Sequence, residues 1–203
     1  MGIVKYIGSQ FAKPQGVGGR ISTLFMNMLN KKQYNVVEKL TKEFSPRFVL
    51  DIGFGNGFLL NKLSQNSNAD FYGIEISEDM LHQASVKNKK CIDNGKMHLS
   101  IASVNDMDFQ DETFDFAYTV NTVYFWNDLE ASYAEIHRVL KNGGVFANVF
   151  YSDKWLDTLR YTQYHFTKYS TDELINRVKE MNFSKVELKE IQKEKAYCLV
   201  VYK

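Results

Sequence analysis

Apolar positions recur along this chain with two periods that alternate. Phe48–Ile52, Asp70–Glu75, Lys96–Ala102, Phe114–Val120 and Val145–Tyr151 are short runs rich in β-branched, aliphatic and aromatic residues, each predicted to be a strand. The fifth is nearly all apolar, the pattern of a strand covered on both faces. Between these runs the spacing turns helical. Phe58, Leu59, Leu60 and Leu63 mark one helix. Ser77 is the predicted N-cap of a second, with Glu78 and Asp79 in its first turn, running to about Ile92 and ended by Asn94-Gly95. A third spans Asp128 to Leu140 and is closed by Lys141-Asn142-Gly143-Gly144. The ending breaks the alternation. A helix capped by Ser170 or Thr171 runs through Met181, and two strands follow without a helix between them, roughly Lys185–Ile191 and Ala196–Tyr202, joined at Gln192-Lys193-Glu194-Lys195 as a hairpin.

Repeated β-α units predict an α/β fold, a doubly wound parallel sheet with helices on both faces, and the terminal hairpin inserts one antiparallel strand. Residues 1–20 read as irregular, with a proline and three glycines in Lys13–Gly19. Ser22 starts a short helix carrying Leu24, Phe25, Met28 and Leu29. Asn30 starts a second, with Tyr34, Val37 and Leu40, that ends near Phe44 because Ser45 precedes a proline. The expected organisation is an N-terminal loop and helical cap over 1–45 and one α/β unit over 46–203.

Composition narrows the function. The 203 residues carry 25 basic and 24 acidic side chains, a net charge of +1, which leaves no electrostatic footprint for nucleic acid or an anionic membrane. Lys87, Lys89 and Lys90 form the only dense basic cluster and read as a solvated helix end. Two distant cysteines, Cys91 and Cys198, suggest neither a zinc motif nor a redox motif and fit a reducing compartment. No signal-peptide pattern and no apolar run of about 20 residues is present. The expectation is a soluble cytoplasmic protein with a small-molecule partner, no nucleic acid, no stable membrane insertion and no metal.

The chemistry concentrates at the predicted strand ends, where open parallel sheets bind ligands. The first strand delivers Asp51, then Gly53, Gly55, Asn56 and Gly57, immediately before a helix. Alternating glycines there supply positive φ or bare backbone for a ligand. A dinucleotide fingerprint, G-x-G-x-x-G, would need a glycine at 58. Phe58 stands there and the third glycine is one place earlier, a register that points to an adenosyl cofactor without a pyrophosphate. The second strand delivers Glu75, 24 residues after Asp51, a carboxylate able to accept both hydroxyls of a ribose.

Val49–Gly57 resembles motif I of the class I S-adenosylmethionine-dependent methyltransferases. Gly73–Leu81, Phe114–Tyr118 and Arg138–Gly144 resemble the motifs that follow it in that family, in order and at normal spacing, and together they cover about residues 47–150. The flavour is similar to the ubiquinone/menaquinone-biosynthesis type of small-molecule methyltransferase. The resemblance implies a seven-stranded Rossmann-like sheet of order 3-2-1-4-5-7-6 with strand 7 antiparallel. It also implies S-adenosylmethionine as cofactor and S-adenosylhomocysteine as product. Carried over by residue, Gly53, Gly55 and Gly57 pack under the methionine portion, Glu75 holds the ribose, Ile76 and Met80 flank the adenine, Val104 lies on its other face and Asn121 sits below the methionine. Asp51 orients the loop and balances a cationic ligand. Where many relatives carry an Asp at the end of strand three, this chain has Ser103, an uncharged acceptor; Asn105 and Asp106 are the alternatives.

Methyl transfer from a sulfonium needs positioning and exclusion of water, and a base only when the acceptor must lose a proton. His165 and Tyr124 are the candidate catalytic residues; His82, His98 and His137 read as structural. Tyr124-Phe125-Trp126, with Tyr151, Trp155, Tyr161, Tyr164 and Phe166, suggests an apolar or aromatic acceptor pocket. Phe11–Arg20 is a predicted lid, with Arg20 a partner for the cofactor carboxylate. Two rivals stay open. A nicotinamide-dependent oxidoreductase is disfavoured by the glycine register, Phe58 and the terminal hairpin. A cofactor-binding protein without turnover is compatible with the same glycines and Glu75.

Overall fold

The structure, a computed structural model, describes residues 27–203; the start of the helix predicted from Ser22, the lid and Arg20 lie outside the described residues. Seven strands form one sheet: β1 Phe48–Ile52, β2 Asp70–Glu75, β3 Met97–Ile101, β4 Phe114–Val120, β5 Leu140–Tyr151, β6 Lys185–Gln192 and β7 Ala196–Tyr202. Their order is β3-β2-β1-β4-β5-β7-β6. β1 to β5 pair in parallel, and β7 runs antiparallel between β5 and β6. This is the expected order, and it places the reversal point between β1 and β4.

The central strands are mostly apolar because they are covered on both faces. In β5, Val145, Ala147 and Val149 enter one buried cluster while Phe146 and Phe150 enter the other. One face is covered by α1 (Lys31–Phe44), α2 (Phe58–Ser64), α3 (Glu78–Lys87) and the short α4 (Lys89–Asp93); the other by α5 (Leu129–Val139), the short α6 (Asp153–Asp157) and α7 (Thr171–Lys179). Val37 and Leu40 of α1 lie in the same core as Val49, Phe116 and Val200. Helix α1 therefore shares a buried core with the sheet. No helix among the described residues is long and apolar enough to cross a membrane.

Caps follow the sequence closely. Ser77, Asp128 and Ser170 each accept a backbone N–H from the first turn of their helix. α1 ends as expected, with Ser45 in the left-handed region before Pro46. Two boundaries differ. The helix expected to continue to Ile92 breaks at Asn88, whose Nδ2 donates to the carbonyls of Gly57 and Ala84 at 3.1 and 2.9 Å. That tertiary bond to the glycine loop is invisible to local propensity. The Lys141–Gly144 stretch, expected as a turn, belongs to β5: pairing jumps from Phe114–Leu140 to Phe116–Val145, and Gly143 at φ 78° sits in this irregularity, tied to Lys203.

Candidate active site

One cleft opens at the carboxyl ends of β1, β2, β3 and β4, the place the topology dictates. It is lined by Asp51, Gly53, Gly55 and Asn56 from β1 and its turn, Glu75 and Ile76 from β2, Ser103, Val104 and Asn105 after β3, and Asn121 after β4. Of the sequence-derived site residues, Gly57 and Met80 do not line it, nor do the candidate bases Tyr124 and His165.

The three glycines of the turn all have positive φ, but for different reasons. A Cβ on Gly53 would meet Thr122 Cγ2 at 2.5 Å, so this glycine lets the turn pass beside the end of β4. A Cβ on Gly57 would meet Asn88 Nδ2 at 2.6 Å and Ala84 Cβ at 2.7 Å, so this glycine lets α2 start against α3. On Gly55 a Cβ would meet nothing within 4 Å; Gly55 and Gly53 both line the cleft, and of the two only Gly55 has open space at its Cβ position. Gly73 is a fourth positional glycine: its Cβ would lie 2.6 Å from Phe54, a close approach the sequence does not announce.

Glu75 is 8% exposed and knits the site together. Oε2 accepts from Gly55 N at 3.0 Å, and Oε1 accepts from Ile76 N and Ser77 N at 2.8 and 3.1 Å. The carboxylate is thus fixed by main-chain donors from both the glycine turn and the start of α3. Asp51 is buried beside it and accepts a hydrogen bond from the Tyr118 hydroxyl at 2.8 Å. Burial pushes its pKa up to about 8; the Tyr118 bond opposes the rise and the Glu75 charge adds to it. A cation seated in the cleft would relieve both acids.

On the far wall, Ile76 is 45% exposed and Val104 is buried, both facing the cleft. Met80, expected beside them, is fully buried within α3. Ser103 lines the cleft, as does Asn105, but the Asn105 amide is committed to α5: Oδ1 accepts from Ser132 Oγ at 2.9 Å and Nδ2 donates to Asp128 O at 3.4 Å. Asp106 lies outside the lining. Arg138 secures this wall from behind, donating to the carbonyls of Met107 and Phe109 at 3.0 and 2.7 Å and pairing with Glu135.

Neither candidate base reaches the cleft. Tyr124 is buried; its one hydroxyl proton is shared between Asn121 Oδ1 and Tyr151 O, at 3.1 and 3.3 Å, and its oxygen accepts from Tyr151 N. Burial holds its pKa well above the ordinary value, so it stays protonated. His165 is exposed at φ 65° in the loop after α6, outside the cleft lining. Phe125 and Trp126 do line the cleft, and Phe125 packs edge-on against Phe166 with ring centroids 4.7 Å apart. Asn27, Asn30 and Tyr34, at and before the start of α1, complete the rim. The local pattern marks Asn30 only as a cap and Tyr34 only as helix packing; nothing local shows that the helix lies across the cleft.

A reversal-point cleft with a glycine turn, a strand-two carboxylate and an antiparallel seventh strand defines the class: a class I S-adenosylmethionine-dependent methyltransferase fold. Comparison with known proteins agrees. Residues 50–148 match the model of the methyltransferase domain family. The chain is 32% identical over 113 residues to 24-methylenesterol C-methyltransferase 2 of Arabidopsis thaliana, covering 56% of this chain and 30% of that protein. It is 26% identical over 170 residues to the O-methyltransferase cnsE of Penicillium expansum, covering 77% and 62%. Among solved structures, the PH0226 protein of Pyrococcus horikoshii OT3 superposes with a TM-score of 0.73 at 18% identity, covering 87% and 90%. The chain spans less than two thirds of either curated relative. Residues 50–148 thus match the methyltransferase domain, and the described residues share the class I methyltransferase fold.

Proposed function

We propose that this protein transfers the methyl group of S-adenosylmethionine to a small, partly apolar or aromatic acceptor. The observation that carries the reading is the pairing of Gly55, bare backbone facing open cleft, with the buried carboxylates of Glu75 and Asp51. That set of acceptors fits a ribose bearing a cationic tail and opposes a pyrophosphate, which would meet two acids. When bound, the cofactor supplies an activated methyl on a positively charged sulfur. Glu75 accepts the ribose hydroxyls, Gly53 and Gly55 admit the chain of the cofactor against the turn, Ile76, Ser103 and Val104 receive the adenine, and Asp51 balances the positive charge. Phe125 and Trp126 form an apolar wall that orients an acceptor and excludes water.

The sterol named for the C-methyltransferase relative supports an apolar acceptor. The balanced net charge of +1 supports a small molecule over nucleic acid, and the two free cysteines support a cytoplasmic setting. Titration calorimetry tests the cofactor: binding of S-adenosylmethionine and none of NAD is expected, and the reverse sinks the proposal. Glu75→Ala removes a charged acceptor and also frees Gly55 N, so affinity should fall by one to two orders of magnitude, from ~1.5–3 kcal/mol per charged hydrogen bond. A screen of apolar and aromatic acceptors for methyl incorporation separates turnover from binding alone.

A further inference from the structure

The side chain of Asn121 has no hydrogen-bonding capacity left for a ligand. An amide offers two N–H donors and two acceptor lone pairs. Here Nδ2 donates to Asn30 Oδ1 and to Gln33 Oε1, both at 3.0 Å, while Oδ1 accepts from Gln33 Nε2 and from the Tyr124 hydroxyl, both at 3.1 Å. Gln33 and Asn121 therefore form a reciprocal amide pair, 88 residues apart in sequence. Gln33 is fully buried, yet it stands in the otherwise polar first turn of α1. Asn121 lines the cleft with φ 60°, a left-handed backbone at the point where β4 ends, and its own N–H is held by Val149 O at 2.8 Å. The same turn of α1 reaches the glycine loop: Tyr34 donates to Asn27 Oδ1 at 2.9 Å, and Asn27 donates to Asn56 Oδ1 at 3.4 Å.

We infer that Gln33 is a positioning residue for the cofactor site: its amide pair with Asn121 holds the end of β4 in left-handed backbone, so that Asn121 meets a ligand through its main chain and not its side chain. The inference rests on the cleft taking S-adenosylmethionine. A buried glutamine is costly unless both ends are paired, and here both ends are spent on one residue at the mouth of the site. The pairing also makes α1 a wall of the cleft, since Asn30 joins it and Tyr34 stands beside it.

The test is Gln33→Leu, similar in size and unable to pair. In titration calorimetry the dissociation constant for S-adenosylmethionine should rise about tenfold, the lower part of the range for stranding buried polar groups. Asn121→Gly keeps the left-handed backbone accessible but removes the amide; it should also weaken binding, and combining the two should add nothing further, because one interaction is being removed twice. Wild-type affinity in Gln33→Leu, or in Asn121→Gly should the first variant not fold, overturns the inference, as does full additivity, the mark of general helix packing. Hydrogen exchange on the cofactor-free protein reads the pair independently. Amides at 121–123 should exchange at least tenfold faster in Gln33→Leu while those at 116–119 keep their protection. Unchanged exchange overturns the inference. Failure of the wild type to bind S-adenosylmethionine refutes the functional proposal, and the exchange result still decides the role of Gln33.

Discussion

Replacing Gly55 and Gly57 in turn by alanine should separate ligand contact from packing, two residues apart in one turn. Both have positive φ, at 54° and 67°, so both variants carry the ~1–2 kcal/mol cost of a side chain in the left-handed region. Gly57→Ala carries more. Its Cβ would lie 2.7 Å from Ala84 Cβ and 3.0 Å from Ala84 Cα, backbone-anchored atoms that cannot swing aside, and 2.6 Å from the amide of Asn88, which is itself held by Gly57 O. Overpacking of that kind adds ~1–3 kcal/mol. The sum is about 2–5 kcal/mol for Gly57→Ala against about 1–2 kcal/mol for Gly55→Ala. At roughly 2–4 °C per kcal/mol for a chain of this size, thermal melts should place Gly57→Ala on the order of 10 °C below wild type and Gly55→Ala only a few degrees below. Calorimetry with S-adenosylmethionine should give the opposite ranking. Gly55→Ala fills open cleft and should lose binding by tenfold or more, whereas folded Gly57→Ala should keep most of it. Equal melting shifts, or wild-type affinity in Gly55→Ala, would refute the assignment of Gly55 to the ligand and Gly57 to the α2–α3 contact.

Asp51 makes a pH prediction. Its folded pKa, pushed up to about 8, lies above the ordinary carboxylate value, so the folded state holds a proton that the unfolded state has released. Stability should therefore fall as pH rises from about 4 to about 8 and level off above that; Asp51→Asn should flatten this dependence in urea melts, and a parallel fall in both proteins would count against it. Binding a cationic cofactor should release the Asp51 proton, so the calorimetric enthalpy near pH 7 should vary with the ionisation heat of the buffer, and no variation would show that Asp51 does not face the charge. Arg138→Met removes the bonds to Met107 O and Phe109 O and the pair with Glu135, costing ~1–3 kcal/mol and speeding hydrogen exchange over 105–109; unchanged exchange there would show that the loop holds without it.

The sequence by itself determined the strands, most caps and the existence of the site. β2, β4 and β7 coincide with their predicted limits because apolar runs bounded by turn residues leave little freedom. Asp51, Gly53, Gly55 and Glu75 were legible because strand ends in a parallel sheet converge on one cleft whatever the rest of the chain does. The tertiary structure decided the division of labour inside that motif. Contact with Ala84 and Asn88 makes Gly57 a packing residue, and bonds to Gln33, Asn30 and Tyr124 occupy the Asn121 amide. It also broke the second long helix at Asn88 and withdrew Tyr124 and Met80 from the cleft. Local patterns record the period of burial along one segment. Which side chain across the molecule satisfies a polar group, or stands where a Cβ would go, depends on partners 27 to 88 residues away, and no window along the chain contains both.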